Sequence, residues 1–344
     1  MSTTISSTEL DFFQIKDNLK LFLQQSDEFR DYDFEGSALS NILDVLSHNT
    51  HFNALLANFA LNESYLTTAQ LRNSVVSLAE SLGYVPSSST SSQCTVEMTL
   101  NLNGIAGLES QYHFLPGEIV LRGSNDDVDY TFSNRETMTA TSNGSGVYTI
   151  APFSDADAVV KVYEGSQRVE QYVVDGSDNA VYVIPDENID ISTAIVKLYE
   201  DRGVSNTGIG SYQVFNSVFS ASSIEASSQL YILRESPNRF YELTFGDNNS
   251  LGETPVAGNV VNIDYLRTNG SAANGVATLR IAKTITLGGT DVDASNVNVV
   301  VQSRASGGDE PEVIESIRKR APFQYAAQNR MVTPLDYEAL ILRK

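Results

Sequence analysis

Residues 35–83 read EGSALSNILDVLSHNTHFNALLANFALNESYLTTAQLRNSVVSLAESLG, and this stretch decides the fold of the amino-terminal part of the chain. Its apolar residues recur at intervals of three and four, which is the spacing of one helix face. The pattern predicts a helix over about 37–64 and a second one that begins with a capping box of Thr67 and Gln70 and ends before Gly83. Together they form a helical hairpin.

A further helix is predicted before this hairpin, over residues 8–30, with Thr8 as its N-cap. Three helices with wide apolar faces cannot bury all of that surface within roughly 90 residues. The excess predicts partner helices that pack as in a bundle. The residues expected at this interface are Leu39, Ile42, Leu46, Leu55, Phe59, Leu71, Val75 and Leu78.

The central part of the chain reads as strands. Serine-rich residues 87–93 predict a linker, and the apolar period then changes from 3.6 to 2. Short alternating segments between Gly, Asn and Pro turns predict a β domain over 94–200 and a second β module over 201–305, each like a sandwich or barrel. Two pairs of segments are predicted as hairpins: 159–163 with 168–174, and 230–234 with 240–245.

The chain becomes helical again over residues 306–344. One helix is predicted to end before Pro322, and another to begin with Thr333 as N-cap and Pro334 at the first helical position. This last helix reaches Lys344 without a cap, so we expect the C-terminal segment to be truncated. The fold class is therefore α+β: a helical assembly domain over 1–86, central β modules and a C-terminal helical segment.

Composition restricts the partners. Among 344 residues, 43 acidic and 22 basic side chains give a net charge of −21. Such a surface repels phosphate backbones and anionic lipids, so neither nucleic acid nor a membrane is an expected partner. One cysteine excludes an internal disulfide framework. No secretory signal begins the chain, and no apolar run is long enough to cross a bilayer, so folding in a reducing cytoplasm is expected.

Candidate chemical sites are sparse. His48 and His51 lie one helical turn apart, and Asp44 lies one turn before His48, which permits a metal-dependent hydrolase as one hypothesis. Polar contacts between helices explain the same residues better, because two histidines alone make a poor metal site. The acidic run 125–129 permits Ca²⁺ binding, but it lacks an EF-hand's glycine and terminal glutamate, so a solvated turn is favoured. No catalytic residue, metal site or cofactor is predicted.

Residues 245–258, FGDNNSLGETPVAG, contain three glycines, Gly246, Gly252 and Gly258. They predict the end of a strand and a tight turn, with Asp247 capping the turn and Asn248 accepting a positive φ. A phosphate-binding loop is not favoured, because no helix N-terminus follows.

Three stretches together resemble one family. Residues 34–86 are similar to the start of the large baseplate wedge subunit of T-even-type contractile-tailed bacteriophages. Residues 245–275, FGDNNSLGETPVAGNVVNIDYLRTNGSAANG, and residues 318–341, RKRAPFQYAAQNRMVTPLDYEALI, resemble segments of the wider baseplate-J-like group. Asn248 stands where that group usually has glycine, and the turn is one residue longer before Gly252.

The resemblance implies a structural protein of the virion without a catalytic site. It implies pairing with a second copy of the chain and with another wedge subunit through a shared helix bundle. It also implies C-terminal domains that join neighbouring wedges into a ring around the tail tube, and assembly in the cytoplasm of the bacterial host. The alternative hypothesis is a carbohydrate-binding or adhesin-like β protein with a helical stalk, which would explain the acidic β region equally well.

Overall fold

The computed structural model describes residues 11–30, 32–34, 36–103, 105, 107–155, 159–177, 180–200, 212–218, 223–236 and 238–327. These residues form two compact units. The helical unit contains the described residues up to Pro86 and those from Val313 onward, and the β unit is Ser87–Glu312. The predicted α+β class is confirmed, with helices at both ends of the described chain and strands between them.

The helical unit contains α1 (Phe12–Gln24), α2 (Ala38–Glu63), α3 (Arg72–Ser81) and α4 (Ile314–Ala327). The α1 helix is shorter than predicted, and its N-cap is Asp11, whose carboxylate accepts a hydrogen bond from the backbone N–H of Gln14 at 2.9 Å. The predicted cap Thr8 and the helix predicted from Thr333 lie outside the described residues. No described helix combines the length and apolarity needed to cross a bilayer.

The start of α3 differs from the prediction. Thr67 and Gln70 do not form a capping box, because the helix begins only at Arg72. The carboxylate of Glu63, at the end of α2, instead accepts hydrogen bonds from the backbone N–H groups of Gln70 at 2.7 Å and Leu71 at 3.2 Å. Desolvation alone would raise the pKa of Glu63, but these hydrogen bonds and the charge of Arg318 hold it below its usual value.

The end of α3 follows the prediction. Gly83 has a φ of +79°, a conformation that glycine adopts without steric cost. The N–H of Tyr84 bonds the carbonyl of Ala79, and the N–H of Gly83 bonds that of Glu80. These two hydrogen bonds form a Schellman motif, which satisfies carbonyls that the helix end would otherwise leave without partners.

The α4 helix passes through Pro322, where the sequence predicted its end. Proline removes one backbone hydrogen bond and usually breaks a helix. Packing compensates here, because Ile317 and Ala321 are fully buried against Val75 and Ala79 of α3. Tertiary contacts that the local sequence does not reveal thus keep the helix continuous.

The β unit contains eighteen strands among its described residues. They are β1 (Gln93–Asn101), β2 (Gln111–Phe114), β3 (Val120–Asn125), β4 (Val128–Ser133), β5 (Met138–Ser142), β6 (Val147–Pro152), β7 (Val160–Glu164), β8 (Ser166–Val173) and β9 (Tyr182–Ile184). They continue as β10 (Ile189–Tyr199), β11 (Gln213–Ser217), β12 (Leu230–Glu235), β13 (Tyr241–Phe245), β14 (Val260–Arg267), β15 (Arg280–Ile281), β16 (Ile285–Leu287), β17 (Thr290–Val292) and β18 (Val297–Ser306).

The first sheet is organised around β1. Its strand order is β15-β3-β4-β7-β1-β6-β5-β2, and β18 also pairs with β1. One edge of β1 pairs first with β7 and then with β6, which leaves the other edge to β18. Alternate β1 residues, from Cys94 to Leu100, are buried in a core that also contains Leu287 of the β16–β17 hairpin.

The second sheet is curved, so that its two edge strands, β8 and β9, approach each other. Its strand order is β8-β14-β10-β11-β12-β13-β9, and all pairs are antiparallel except β11 with β12. The two edge strands approach each other where the Tyr172 hydroxyl donates to the Val183 carbonyl and its ring contacts that of Tyr182 at 5.5 Å. The predicted hairpin over 230–245 is confirmed as β12 and β13.

Two predicted features of the β sheets differ in the structure. The segments 159–163 and 168–174 do not form a hairpin, because β7 lies in the first sheet and β8 pairs with β14 in the second. The chain crosses between sheets at Gly165, where a Cβ would lie 2.9 Å from the Arg267 carbonyl oxygen. Residues 280–306 return to the first sheet through β15 and β18, so the two sheets do not divide near residue 200.

The serine-rich segment is not a flexible linker. Ser88 and Ser92 are almost fully buried, and Ser88 accepts a hydrogen bond from the N–H of Ile191 at 3.2 Å. The N–H of Ser91 donates to the carboxylate of Asp190 at 2.7 Å. The hydroxyl groups of Ser88 and Ser92 fit here because they are small enough to be buried close to neighbouring backbone and still find hydrogen-bond partners.

A buried ion pair joins the two sheets. Arg135, in the loop between β4 and β5, reaches Asp264 of β14 with a distance of 3.0 Å between Nη1 and Oδ1. Its other guanidinium nitrogens donate to the carbonyls of Thr193 and Asp264. Gln167 of β8 donates to the second carboxylate oxygen of Asp264 at 2.7 Å. Both charges are thus buried and hydrogen-bonded, which is the condition for tolerating them in a core.

We predict that Arg135→Met destabilises the β unit by about 3–5 kcal/mol, because it leaves Asp264 buried without its cation. Arg122→Ala is the matched control, since Arg122 and Asp129 are about half exposed and 3.9 Å apart, and it should cost less than about 1 kcal/mol. Denaturant unfolding followed by the β-sheet circular dichroism signal measures both. Equal losses in the two variants would contradict the structural role of the buried pair.

Candidate assembly surface

The α2 helix has its polar face inside and its apolar face outside. Ser47, Asn58 and Asn62 are buried, together with Leu43. The large apolar residues on the opposite face are between 45% and 70% exposed. We call them the α2 stripe: Ile42, Val45, Leu46, Phe52, Leu55, Leu56 and Phe59.

The buried face of α2 is closed by contacts within the helical unit. The Asn62 side chain donates to the carbonyl of Asn58 at 2.7 Å, and the Thr68 hydroxyl donates to the carbonyl of Asn62 at 2.6 Å. At the other end, Lys16 of α1 forms an ion pair with Asp44 at 2.6 Å. These polar partners orient the helix and leave the α2 stripe on its free side.

The α2 stripe is continuous. At 3.6 residues per turn, its members occupy about half of the helix circumference, opposite the buried polar residues. A soluble helix normally turns such a face towards a core. Exposed apolar surface of this extent marks a place where another molecule binds.

The stripe also lacks charge. The segment from Val45 to Asn62 contains no Asp, Glu, Lys or Arg, although the whole chain carries a net charge of −21. The nearest charged residues of α2 are Asp44, which pairs with Lys16, and Glu63, which caps α3. Another acidic chain can therefore approach the α2 stripe without direct repulsion between side chains on the two surfaces.

The two histidines of α2 pack on an aromatic ring. The His48 and His51 rings lie 4.6 and 5.8 Å from that of Phe52. Asp44, the third ligand of the metal hypothesis, is bound to Lys16 instead. In the part of the chain that the structure describes, no three His, Cys, Asp or Glu side chains gather into a group that could hold a metal ion.

The predicted interface residues are placed unequally. Ile42, Leu46, Leu55 and Phe59 lie in the exposed α2 stripe, and Leu71 is exposed at the start of α3. Leu39 and Leu78 are half-buried.

Val75 differs from the prediction, because it is fully buried between α3 and α4 and cannot meet another chain in this arrangement. Val45, Phe52 and Leu56 were missing from the predicted set. The signal that could have found them is their helical spacing: Val45 lies three residues after Ile42, Leu56 lies three before Phe59, and Phe52 lies four before Leu56.

A groove lies on the outer face of strands β2, β5 and β6. It is lined mainly by hydroxyl and amide side chains, including those of Thr139, Thr141 and Thr149. His113 Nδ1 lies 3.1 Å from the Thr139 hydroxyl, and its ring contacts Phe153 edge-on at 5.3 Å. The groove therefore presents hydroxyl, amide and imidazole groups and one exposed aromatic ring.

The acidic run 125–129 forms a tight turn between β3 and β4. Asp126 and Asp127 have φ values of 49° and 61°, as a two-residue hairpin loop requires. The favoured interpretation as a turn is confirmed.

The turn that follows β13 also has the predicted conformation. Asn248 has a φ of 56°, and the Asp247 carboxylate accepts hydrogen bonds from three successive backbone N–H groups.

Comparison with known proteins finds a family model that is similar to the N-terminal helices. Residues 11–84 match the family model described as baseplate wedge protein gp6-like, helical domain. The chain is also 29% identical, over 352 residues, to the baseplate wedge protein gp6 of Enterobacteria phage T4. This alignment covers 96% of the chain and 49% of the relative, so the chain spans about half of the relative's length. The resemblance stated from the sequence is confirmed, and the matched helical region contains the α2 stripe.

Leu43 and Leu46 of α2 differ in burial, and replacing each of them tests which face of the helix is buried. Leu43 is 2% exposed and Leu46 is 47% exposed, although they lie only three residues apart. We predict that Leu43→Ala destabilises the helical unit by about 2–5 kcal/mol, because it leaves a cavity. Leu46→Ala should change stability by less than about 0.5 kcal/mol when the chain is dilute enough to be monomeric. Denaturant unfolding followed by the helical signal measures both, and a reversed order would contradict the burial pattern.

Proposed function

We propose that the chain is a structural component of the baseplate wedge of a contractile phage tail, and that it assembles through the α2 stripe. The stripe is covered by helices of a second copy of the chain and of another wedge subunit. The protein acts in the virion after assembly in the cytoplasm of the host. Its action is mechanical and not enzymatic.

The single observation that carries this proposal is the inverted polarity of α2. A helix that buries Ser47, Asn58 and Asn62 while exposing Phe52, Leu56 and other large apolar residues is incomplete as a monomer. Its apolar face gains stability only when it is removed from water by another chain. The similarity of residues 11–84 to the helical domain of baseplate wedge proteins supports the same interpretation.

The width of the α2 stripe supports more than one partner helix. A two-helix contact uses a narrow seam, whereas a bundle helix carries a wider apolar face. Leu46 and Leu55 lie on opposite flanks of the stripe and are 47% and 45% exposed. A partner helix that packs on the centre of the α2 stripe leaves one of its flanks free for a further helix. Two copies of the chain and another subunit require such an arrangement.

Residues outside the stripe extend the proposed interface. Leu39 and Leu78 are half-buried, and Leu71 is exposed where α3 begins. We expect these three to lie at the margin of the bundle. Val75 is left out, because α4 already covers it.

The β unit supports a role as a rigid spacer and docking body. Its two sheets share the Arg135–Asp264 pair and the crossing at Gly165, so they resist movement against each other. The relative from phage T4 is about twice as long as this chain. We propose that the contacts linking neighbouring wedges around the tail tube involve the C-terminal helical segment, residues 306–344.

The proposal is tested by placing charge in the α2 stripe. We expect Leu46→Asp with Phe59→Asp to abolish co-purification with a co-expressed neighbouring wedge subunit, because two carboxylates would have to be buried in an apolar contact. The matched control is Thr50→Asp with Ala57→Asp, two exposed positions of α2 outside the stripe. The control should retain the complex, and circular dichroism should show an intact β unit in both variants.

Persistence of the complex in the Leu46→Asp, Phe59→Asp variant would show that the stripe is not the assembly surface. Equal loss in the control would point to a general effect of added negative charge, which also contradicts the proposal.

A further inference from the structure

Strand β8 is at one end of the second sheet and has an unpaired edge. All of its residues, Ser166–Val173, pair with β14 in an unbroken antiparallel register, and no strand of the described chain pairs with its other edge. The other strands that end the two sheet orders are short, since β15, β2 and β9 have two, four and three residues. A long unpaired edge is a place where a further strand can add to a sheet.

We propose that β8 pairs antiparallel with β8 of a second copy of the chain, so that one sheet continues across both copies. The pair is centred on Val169, which faces Val169 of the second copy. This contact lies in the β unit and does not involve the α2 stripe, so it goes beyond the proposed function.

Backbone groups are available for this pairing at alternate residues of β8. Val174, which follows the strand, directs both of its backbone groups towards the chain that leads into β14: its N–H donates to the Asn259 carbonyl, and its carbonyl accepts from the Gly258 N–H. Successive residues of a strand point these groups to opposite sides. The residues whose backbone groups point to the free edge are therefore Gln167, Val169, Gln171 and Val173.

A centre at Val169 places these free backbone groups opposite each other. Val169 faces Val169 of the second copy, and Gln167 of each copy faces Gln171 of the other. Opposed residues of this type exchange two backbone hydrogen bonds in an antiparallel pair. The valine side chains, 51% exposed in the single chain, also cover each other on the outer face of the sheet.

The charges of β8 are complementary in the same alignment. Arg168 and Glu170 lie on the inner face of the strand, because they are opposite the buried Tyr265 and Ile263 of β14. Neither has an ion-pair partner among the residues that the structure describes. In the proposed pair Arg168 faces Glu170 of the second copy, and Glu170 faces its Arg168. These opposed positions are the ones at which side chains of paired strands come closest.

The same charges disfavour neighbouring alignments. An antiparallel pair centred on Arg168 brings two guanidinium groups together, and one centred on Glu170 brings two carboxylates together. A parallel, in-register pair places each charge beside the same charge of the other copy. Like charges that face each other destabilise a sheet, so the order of Arg168, Val169 and Glu170 selects the centre at Val169.

The order of the charges also identifies a second copy as the occupant of the edge. Charged side chains on an edge strand often prevent strand addition. Charges of a single sign would repel a second copy in every alignment. Opposite charges two residues apart instead become complementary when the same strand is reversed, which is the relation between two copies across a two-fold axis.

A single introduced cysteine reports the pairing. Opposed residues of the hydrogen-bonded type have Cα atoms about 5.5 Å apart, a separation that a disulfide spans. We expect Val169→Cys to form a covalent dimer under mild oxidation in the full-length chain. Val128→Cys is the matched control, because Val128 is also a 51% exposed strand valine but lies in β4 of the other sheet, and its yield should be several-fold lower.

The native cysteine does not interfere with this measurement. Cys94 is 1% exposed and lies in β1 of the β unit. Its thiol donates to the carbonyl of Ser303 at 2.9 Å, and burial raises its pKa to about 11. Disulfide exchange requires an accessible thiolate, so the folded chain offers only the introduced cysteine.

The alignment is tested by reversing charges in the Val169→Cys variant. Arg168→Glu should lower the yield of covalent dimer several-fold, because two carboxylates then face each other on both sides of the centre. Adding Glu170→Arg to Arg168→Glu should recover the yield, because the two charges have exchanged places and are again complementary. An unchanged yield in Arg168→Glu, or no recovery in the double reversal, would overturn the alignment.

The cross-linking is repeated in the chain that carries Leu46→Asp and Phe59→Asp. The covalent dimer should still form, because β8 lies outside the α2 stripe, and its loss there would contradict an independent contact in the β unit. If Val169→Cys cross-links no more than Val128→Cys in the unaltered background, the strand pairing is wrong while the proposed function stands.

Hydrogen exchange of the β8 backbone distinguishes a second copy from a different protein. Exchange should slow as the concentration of the chain alone is raised, because the edge N–H groups become hydrogen-bonded. Slowing that appears only with a co-expressed wedge subunit would assign the edge to that subunit and overturn the proposal.

Discussion

The polarity of α2 is the constraint on which the functional interpretation depends. A helix in a small unit can bury only one face against its own chain, and α2 uses that face for Ser47, Asn58 and Asn62. The contact is specified by the hydrogen bond from the Thr68 hydroxyl to the Asn62 carbonyl and by the Lys16–Asp44 ion pair. Apolar surface therefore remains in water on the other side, where a partner chain can cover it. The geometry favours assembly over ligand binding because the exposed surface is convex, long and uncharged.

In the β unit, buried and hydrogen-bonded charges connect the two sheets. Asp264 loses its hydrating water on burial, and the guanidinium of Arg135 donates a hydrogen bond to its carboxylate instead. The buried carboxylate of Glu164 likewise accepts hydrogen bonds from the side chains of Thr268 and Asn269. Buried charges of this kind add little net stability over apolar packing, but they are unfavourable in any other arrangement. They thus specify how the loop between β4 and β5 meets the second sheet.

Local sequence patterns predicted the features whose determinants lie close together in the chain. The α2 helix, the Gly83 cap, the β12–β13 hairpin and the positive φ of Asn248 belong to this group. Predictions that depended on distant partners differed from the structure. The α3 cap comes from Glu63, the serine segment is buried beside Asp190, and β7 and β8 join different sheets. Periodicity reports which face of an element is apolar, but it carries no information on which distant strand or carboxylate meets it.

The sequence by itself determined that the N-terminal helices carry more apolar surface than they can bury, because that excess follows from composition and spacing alone. Only the tertiary structure decided which apolar residues remain exposed. Val75 and Leu46 look alike in the helical pattern, yet α4 covers the first and the described chain leaves the second half exposed. The difference arises because burial depends on contacts between segments far apart in the chain, such as Ile317 against α3, and these contacts exist only in the folded protein.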